Sequence, residues 1–401
     1  MKKILISLLI LTLLVGCNVS GTNQEVIEPT SFEPTTTSKK QGVYYIYPIA
    51  DKDGNMVIPL NTDCAIITAD ETKSAFMQAK FEEVVIHYHK LLDPTHEFDG
   101  INNIKTINDN YGLDPVKVEP ELIELLDKAI TLSELTDGYF NPTIGAVSNV
   151  WKDLFNQEHK NNDPDEALVK ENLEASIPYD QLRDYIVLDK TNNTVTFKKL
   201  ETTDINVIID LGAISKGYVL DKAYEALLKY KAGFLLSAGG SSIVTYVEPT
   251  QEKLSWMIGV KNPDTGQSCF EIKTKNMFIS TSGDTQQHFI NENGIRRHHI
   301  LNPYTGYSEN NYRSITLISE YDAAALDALS TALYSSNDIE KLTSNVKDKY
   351  NIDIKKALIF EDENKNLILD YDDNMIDDIY EVDTTQLEIY EKWNRCSNTY
   401  F

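Results

Sequence analysis

The chain is short of positive charge and of cysteine, and each shortage removes a class of function. Its 37 lysines and arginines face 62 aspartates and glutamates, for a formal net charge of −25 at pH 7. Such a surface repels nucleic acid and other polyanions at long range, so a phosphate-bearing ligand must be gripped locally by a cation, a helix terminus or a metal. The cysteines, Cys17, Cys64, Cys269 and Cys396, lie far apart without a CxxC pair. They supply neither a zinc cluster nor a disulfide framework. No GxGxxG and no GKS/T sequence occurs, which leaves a Rossmann or P-loop assignment unsupported. No apolar run reaches the roughly 20 residues that cross a bilayer, and no internal repeat is visible.

What is present begins at the N-terminus. Lys2 and Lys3 precede an apolar run from Ile4 to Val15 that reads as an export signal. The run closes on Leu14-Val15-Gly16-Cys17, which resembles a bacterial lipobox, so Cys17 is the expected site of lipidation and of a membrane anchor. Residues 18–41 are rich in Ser, Thr, Pro and Glu and too poor in apolar residues to bury a core, as in a flexible tether. The expected organisation is a signal peptide over 1–17, the tether over 18–41, one domain over 42–360 and an acidic extension over 361–401. The expected location is the extracytoplasmic face of the cell membrane.

Periodicity predicts strands at Val43–Tyr47 and Ala65–Thr68, a helix over Thr72–Leu92, and a second helix from Pro120 to the stop at Asp137-Gly138. A hairpin is expected with arms at Tyr185–Asp189 and Thr194–Lys198. A buried strand at Val207–Ile209, a helix over Lys216–Lys231, further strands and a last apolar helix over Asp322–Ser335 follow. Helices interspersed with hairpins and meanders give an α+β class rather than a doubly wound parallel sheet.

Three places combine residues that structure alone rarely asks for. Thr281 to Gly306 carries a Ser-Gly-Asp turn, Arg296, Arg297, His298 and His299, and an Asn-Pro-Tyr-Thr-Gly loop. These donors suit an anion, and His299 could also move a proton near neutral pH; the alternative is an exposed turn with solvated charges. Asp210 to Gly217 places a carboxylate after an apolar run and Lys216 near a helix start, a phosphate-binding arrangement. Asp210 also suits a simple helix-capping role. Asp327 and Thr331 lie four residues apart, hence on one face of an apolar helix, where hard oxygen donors suit Mg²⁺. An exposed Asp beside a Thr bonded to its own backbone is the alternative.

Taken in order, TDGYFNPTIG (Thr136 to Gly145), DLGAISKGYVLDKA (Asp210 to Ala223), LLSAGG (Leu235 to Gly240), TSGD with HHILNPYTG, and DAAALDALSTAL (Asp322 to Leu333) resemble the ApbE family of FAD:protein FMN transferases from about Val43 to Lys355. The resemblance implies an α+β fold related to the T-fold, with antiparallel sheets packed by helices. It implies a Mg²⁺-dependent, exported and often lipidated enzyme. That enzyme splits FAD and passes the FMN moiety to a Ser or Thr hydroxyl of an exported acceptor protein, with release of AMP. By motif, the Ala213 carbonyl, Asp327 and Thr331 would bind the metal. Asp210, Lys216, Tyr139, Phe140, Asn141, Leu301 and Leu60 would contact the cofactor, and His299 would deprotonate the acceptor. Leu60-Asn61-Thr62 stands where the family has Met-Gly-Thr, and Asn141 and Asn302 stand where Asp is commoner. FAD hydrolysis to FMN and AMP, or flavin storage without turnover, are the competing readings.

Overall fold

The computed structural model describes residues 43–155, 162–285, 287–375 and 378–389. The expected export signal, Cys17, the tether and Cys396 lie outside the described residues. Among the described residues, no helix is long and apolar enough to cross a membrane.

Nine strands form the central sheet: β1 (Val43–Tyr45), β2 (Cys64–Thr68), β3 (Phe234–Ala238), β4 (Ser242–Tyr246), β5 (Met277–Gly283), β6 (Ser314–Ser319), β7 (Lys355–Glu361), β8 (Leu367–Tyr371) and β9 (Glu388–Ile389). They stand side by side in chain order. Every neighbouring pair is antiparallel except β8 and β9, which run parallel. The period of two along each strand then divides the apolar residues between two cores. Leu236, Val244, Phe278 and Leu317 face a helical layer, while their neighbours Leu235, Ile243, Ile279 and Ile318 face a second core. That second core is closed by Trp256, Ile258, Phe270 and Ile272, from a three-stranded antiparallel sheet of Trp256–Lys261, Ser268–Thr274 and Ile379–Val382.

The helical layer contains α1 (Ser74–Leu92), α2 (Pro120–Leu135), α3 (Gly145–Phe155), α4 (Gly212–Leu227), α5 (Ala323–Ser335) and α6 (Ile339–Tyr350). Of these, α4 packs on β3, β4 and α5, and α5 packs on β5 and β6. Pro120 occupies the first turn of α2, where a missing N–H costs nothing, and the buried Leu122, Leu125, Leu126, Ala129 and Leu132 recur at helical spacing. The α+β class expected from the sequence is the class observed.

Three local expectations change. Val207 and Ile209 are buried, but among the described residues the segment makes only one bridge, the parallel pair of Ile144 with Ile208. Its hydrogen bonds go to a side chain and a loop instead of a ladder. The Asn108 amide donates to the Ile209 carbonyl (3.0 Å) and accepts from the Ile209 N–H (2.8 Å), and the Asp210 N–H donates to the Pro142 carbonyl (2.8 Å). Helix α4 starts at Gly212, so Lys216 lies inside the helix rather than opening it. The boundary expected at 360 falls on the last residues of β7, and β8 extends the sheet. Leu367, Ile368 and Leu369 are buried there, although the surrounding acidic composition reads as a tail.

Candidate functional site

Helix α5 is almost wholly buried, which is why Asp327 stands out on it. The carboxylate is 4% exposed. Its Oδ1 accepts from the hydroxyls of Ser242 (2.7 Å) and Ser280 (2.6 Å), and its Oδ2 accepts from the Gly217 N–H (2.6 Å). Ser242 and Ser280 are directly opposite each other on β4 and β5, so both hydroxyls leave the same face of the sheet. Ser282, two residues further along β5, continues that face and lies 2.8 Å from Ser330 Oγ and 3.3 Å from Thr331 Oγ1.

A carboxylate in this position, with only neutral donors around it, lacks a compensating charge. Among the described residues it has no ion-pair partner within 4.0 Å, and burying a charge without a partner is costly. A cation would supply what is missing. The available donors are oxygens of a carboxylate, hydroxyls and a carbonyl, which suit Mg²⁺ and not a soft metal. The carbonyl is that of Ala213. In a regular helix the Gly217 N–H points at the carbonyl four residues back, which is Ala213. Here that N–H donates to Asp327 Oδ2, so the Ala213 carbonyl is the candidate donor from α4. Only glycine permits the approach, since a Cβ on Gly217 would sit 2.2 Å from the Ala323 carbonyl oxygen.

Lys216 is half-buried on α4, next to Gly217. Among the described residues no carboxylate pairs with it. Its charge is felt at Cys64: burial and Asp63 push that thiol up to about 12, while Lys216 pulls the other way. The thiol is therefore protonated and unreactive. Asp210 is differently placed. Burial raises its carboxyl, but the Lys152 ammonium at 2.7 Å and the Gly212 N–H at 2.8 Å outweigh that and hold it below the usual carboxylate range. The sequence does not mark Lys152, Ser242 or Ser280, while Ser282 is the serine of the Ser-Gly-Asp turn. The strand period offers one signal for the serines, since Ser280 and Ser282 share a face.

The segment 136–145 is bound to the α4 entry by the Asp210-to-Pro142 bond and by the Gly145 N–H, which donates to the Ile208 carbonyl (3.1 Å). Tyr139 is half-buried and meets the exposed ring of Tyr304 edge-on, with centroids 5.1 Å apart. Phe140 is 2% exposed and belongs to the main core. The Asn141 amide holds its own loop, donating to the Ile177 carbonyl (2.9 Å) and accepting from the Thr143 N–H (2.9 Å). Leu301 is buried in a satellite core with Val147, Trp151 and Phe289. The Trp151 indole donates to the Gly306 carbonyl (2.8 Å), tying α3 to the Asn-Pro-Tyr-Thr-Gly loop. Leu60 sits in a loop with Asn61, both at positive φ, and its N–H donates to His89 Nδ1 (3.3 Å). Thr62 of this loop abuts Gly239, which has φ +67° and donates its N–H to the Asp63 carbonyl (2.8 Å).

The paired histidines separate. His298 is fully buried at the end of the ribbon formed by His288–Ile290 and Arg296–His298. Its Nε2 lies 2.8 Å from the Glu309 carbonyl, to which it donates, and its ring packs edge-on against Tyr334. Burial drives its pKa down to about 4. His299, the next residue, is exposed. The ribbon arginines are engaged by carboxylates: Arg297 makes a bidentate pair with Asp163, with contacts of 2.6 to 3.1 Å, and Arg296 lies 3.4 Å from Asp284. They are therefore not available as the anion donors that the ribbon sequence suggests.

Comparison with known proteins finds relatives over most of the chain. The model of the ApbE family matches residues 60–352. An FAD:protein FMN transferase of Klebsiella pneumoniae is 28% identical over 271 residues, covering 67% of this chain and 77% of the relative. One of Treponema pallidum is 25% identical over 288 residues, covering 69% and 76%. The crystal structure of the ApbE protein of Thermotoga maritima superposes with a TM-score of 0.66 at 27% identity, over 84% of this chain and all of that one. The flavinyl transferase ApbE of Pseudomonas stutzeri, at 17% identity and a TM-score of 0.61, shares the fold over 79% of this chain and 93% of its own.

Proposed function

The chain belongs to the ApbE family, and from that premise we propose that it transfers the FMN moiety of FAD to a Ser or Thr hydroxyl of an exported protein, releasing AMP, with Mg²⁺ as its metal. One observation carries the reading: a buried Asp327 carboxylate without a basic partner, drawn onto the helix that carries the unpaired Lys216. Asp327, Thr331 and the Ala213 carbonyl would hold the metal, which when bound neutralises charge on diphosphate oxygens.

The chain's own groups account for the other needs of the reaction. Lys216 binds the diphosphate as a point charge. Asp210 is fixed by Lys152 and Gly212 at the entry to α4, where it positions the cofactor. Tyr139 and Tyr304 offer aromatic faces to the rings of the substrate. Phe140, Asn141, Leu301 and Leu60 shape the walls through the loops they hold. His299 takes the proton of the acceptor hydroxyl. The hydroxyl oxygen bonds to the phosphorus on the FMN side, the bond from that phosphorus to the bridging oxygen breaks, and AMP departs with that oxygen. The exposure of His299 suits a nucleophile that arrives on another protein. A lipid anchor at Cys17 would keep the domain on the extracytoplasmic face of the membrane, close to exported acceptors.

The test is to incubate the mature protein with FAD, Mg²⁺ and an exported flavoprotein acceptor, then weigh the acceptor. A mass gain of one FMN moiety with stoichiometric AMP is expected. Free FMN and AMP beside an unmodified acceptor would replace transfer by FAD hydrolysis, and FAD left intact would reduce the protein to a flavin binder.

A further inference from the structure

We propose that Asp221 is a positioning residue for the metal site: reaching from α4, it caps the first turn of α5 and fixes the register between the two helices that supply the metal donors. The inference rests on the metal reading above. Ala213 lies on α4 and Asp327 and Thr331 on α5, so the donor set exists only if the helices hold one alignment. Metal–ligand distances tolerate shifts of only about 0.2 Å. Apolar packing is non-directional and does not by itself fix such an alignment, whereas hydrogen bonds do.

The directional contacts across this crossing are few. Asp221 accepts from the Ala323 N–H at Oδ1 (2.8 Å) and from the Ala324 N–H at Oδ2 (3.0 Å). The third N–H of that turn, of Ala325, is capped by Asp322 (2.8 Å), which takes the strained left-handed conformation at φ 72° and is paired to Lys128 at 2.7 Å. Helix starts are ordinarily capped from their own chain segment. Here two of the three bonds come from the neighbouring helix. Gly217 and Asp221 lie four residues apart, hence on one face of α4. Gly217 grips Asp327 through its N–H, and Asp221 grips the start of α5 one turn away. Together they form a two-point clamp, of which only the Gly217 end touches a metal donor.

The isosteric Asp221→Asn variant tests this in the full chain, because its amide NH₂ group would face an N–H that now finds a carboxyl oxygen. Mn²⁺ binding, read by loss of the free-ion paramagnetic signal, is expected to weaken by about tenfold, as when supporting groups around a metal are removed. The Mg²⁺ concentration for half-maximal transfer should rise by a similar factor, while kcat at saturating Mg²⁺ stays within about twofold of the parent. Val346→Ala, in the buried face of α6, destabilises the fold without touching the clamp and should leave Mn²⁺ affinity unchanged. Wild-type Mn²⁺ affinity in Asp221→Asn overturns the proposal, as does a kcat that excess Mg²⁺ fails to restore. If the parent protein itself shows no Mn²⁺ binding that Asp327→Ala removes, the metal reading falls and the clamp falls with it.

Discussion

The ribbon at 288–298 and the crossing of α4 and α5 both concentrate polar groups, and they use them in opposite ways. The ribbon is dense in positive charge, yet Arg297 is held bidentately by Asp163 and stacked 5.0 Å over Tyr307, while Arg296 faces Asp284. Asp284 in turn is gripped by the buried Arg313 at 2.7 Å. The crossing sits in a largely apolar layer, and among the described residues it contains a buried carboxylate without a basic partner and a lysine without an acidic one. The lesson is that binding capacity follows from groups the fold leaves uncompensated. Local density of charge is a poor guide, because the same density is what ion pairs need to fasten a ribbon.

The sharpest way to break this contrast is Asp327→Ala. Transfer to the acceptor, followed by mass, is expected to fall by a factor on the order of 10³ or more, and full activity would remove the crossing from the chemistry. Next comes a matched pair of cation removals. Lys216→Met should lower the rate on the order of 10²-fold with little change in stability, since it surrenders no ion pair. Arg297→Met should do the reverse, costing about 1–3 kcal/mol in denaturant unfolding by stranding Asp163, with activity per folded molecule preserved. Equal effects of the two on activity would erase the distinction. The remaining effect, confined to acid pH, is at His298. Its folded-state pKa is depressed from 6.5 to about 4, so the folded protein binds fewer protons than the unfolded chain in that window. The associated stability is present above pH 6.5 and is lost as pH falls towards 4, about 3 kcal/mol in all. His298→Gln should flatten that part of the stability profile measured by urea unfolding, and an unchanged slope would assign the acid sensitivity elsewhere.

Much of the fold was legible in the chain. The spacing of Leu122, Leu125, Leu126, Ala129 and Leu132 specified α2, and the Pro120 start and Asp137-Gly138 stop were read correctly because caps and breakers act locally. The segment Val207–Ile209 misled because apolar β-branched residues look alike in a strand and in a buried extended segment; the difference lay in Asn108, about a hundred residues away in sequence. The acidic stretch after Glu361 misled for a related reason, since Leu367 to Leu369 is too short an apolar run to outweigh its charged surroundings. At the site, Asp327 and Thr331 were visible as oxygens on one face of an apolar helix. The hydroxyls of Ser242 and Ser280, the Lys152 partner of Asp210 and the capping role of Asp221 were not, because each is defined by a contact between distant segments.

The sequence by itself determined the α+β class, the positions of the main helices, the ordered motif set and the chemical types of the candidate donors, all of which depend on local pattern and residue chemistry. Only the tertiary structure decided which charges are compensated. It turned Arg296 and Arg297 into fasteners, buried His298 while exposing His299, and brought the Gly217 N–H to Asp327 across the α4–α5 crossing. Compensation is a property of pairs within a few ångströms, and a linear chain does not state which of its distant residues will become neighbours.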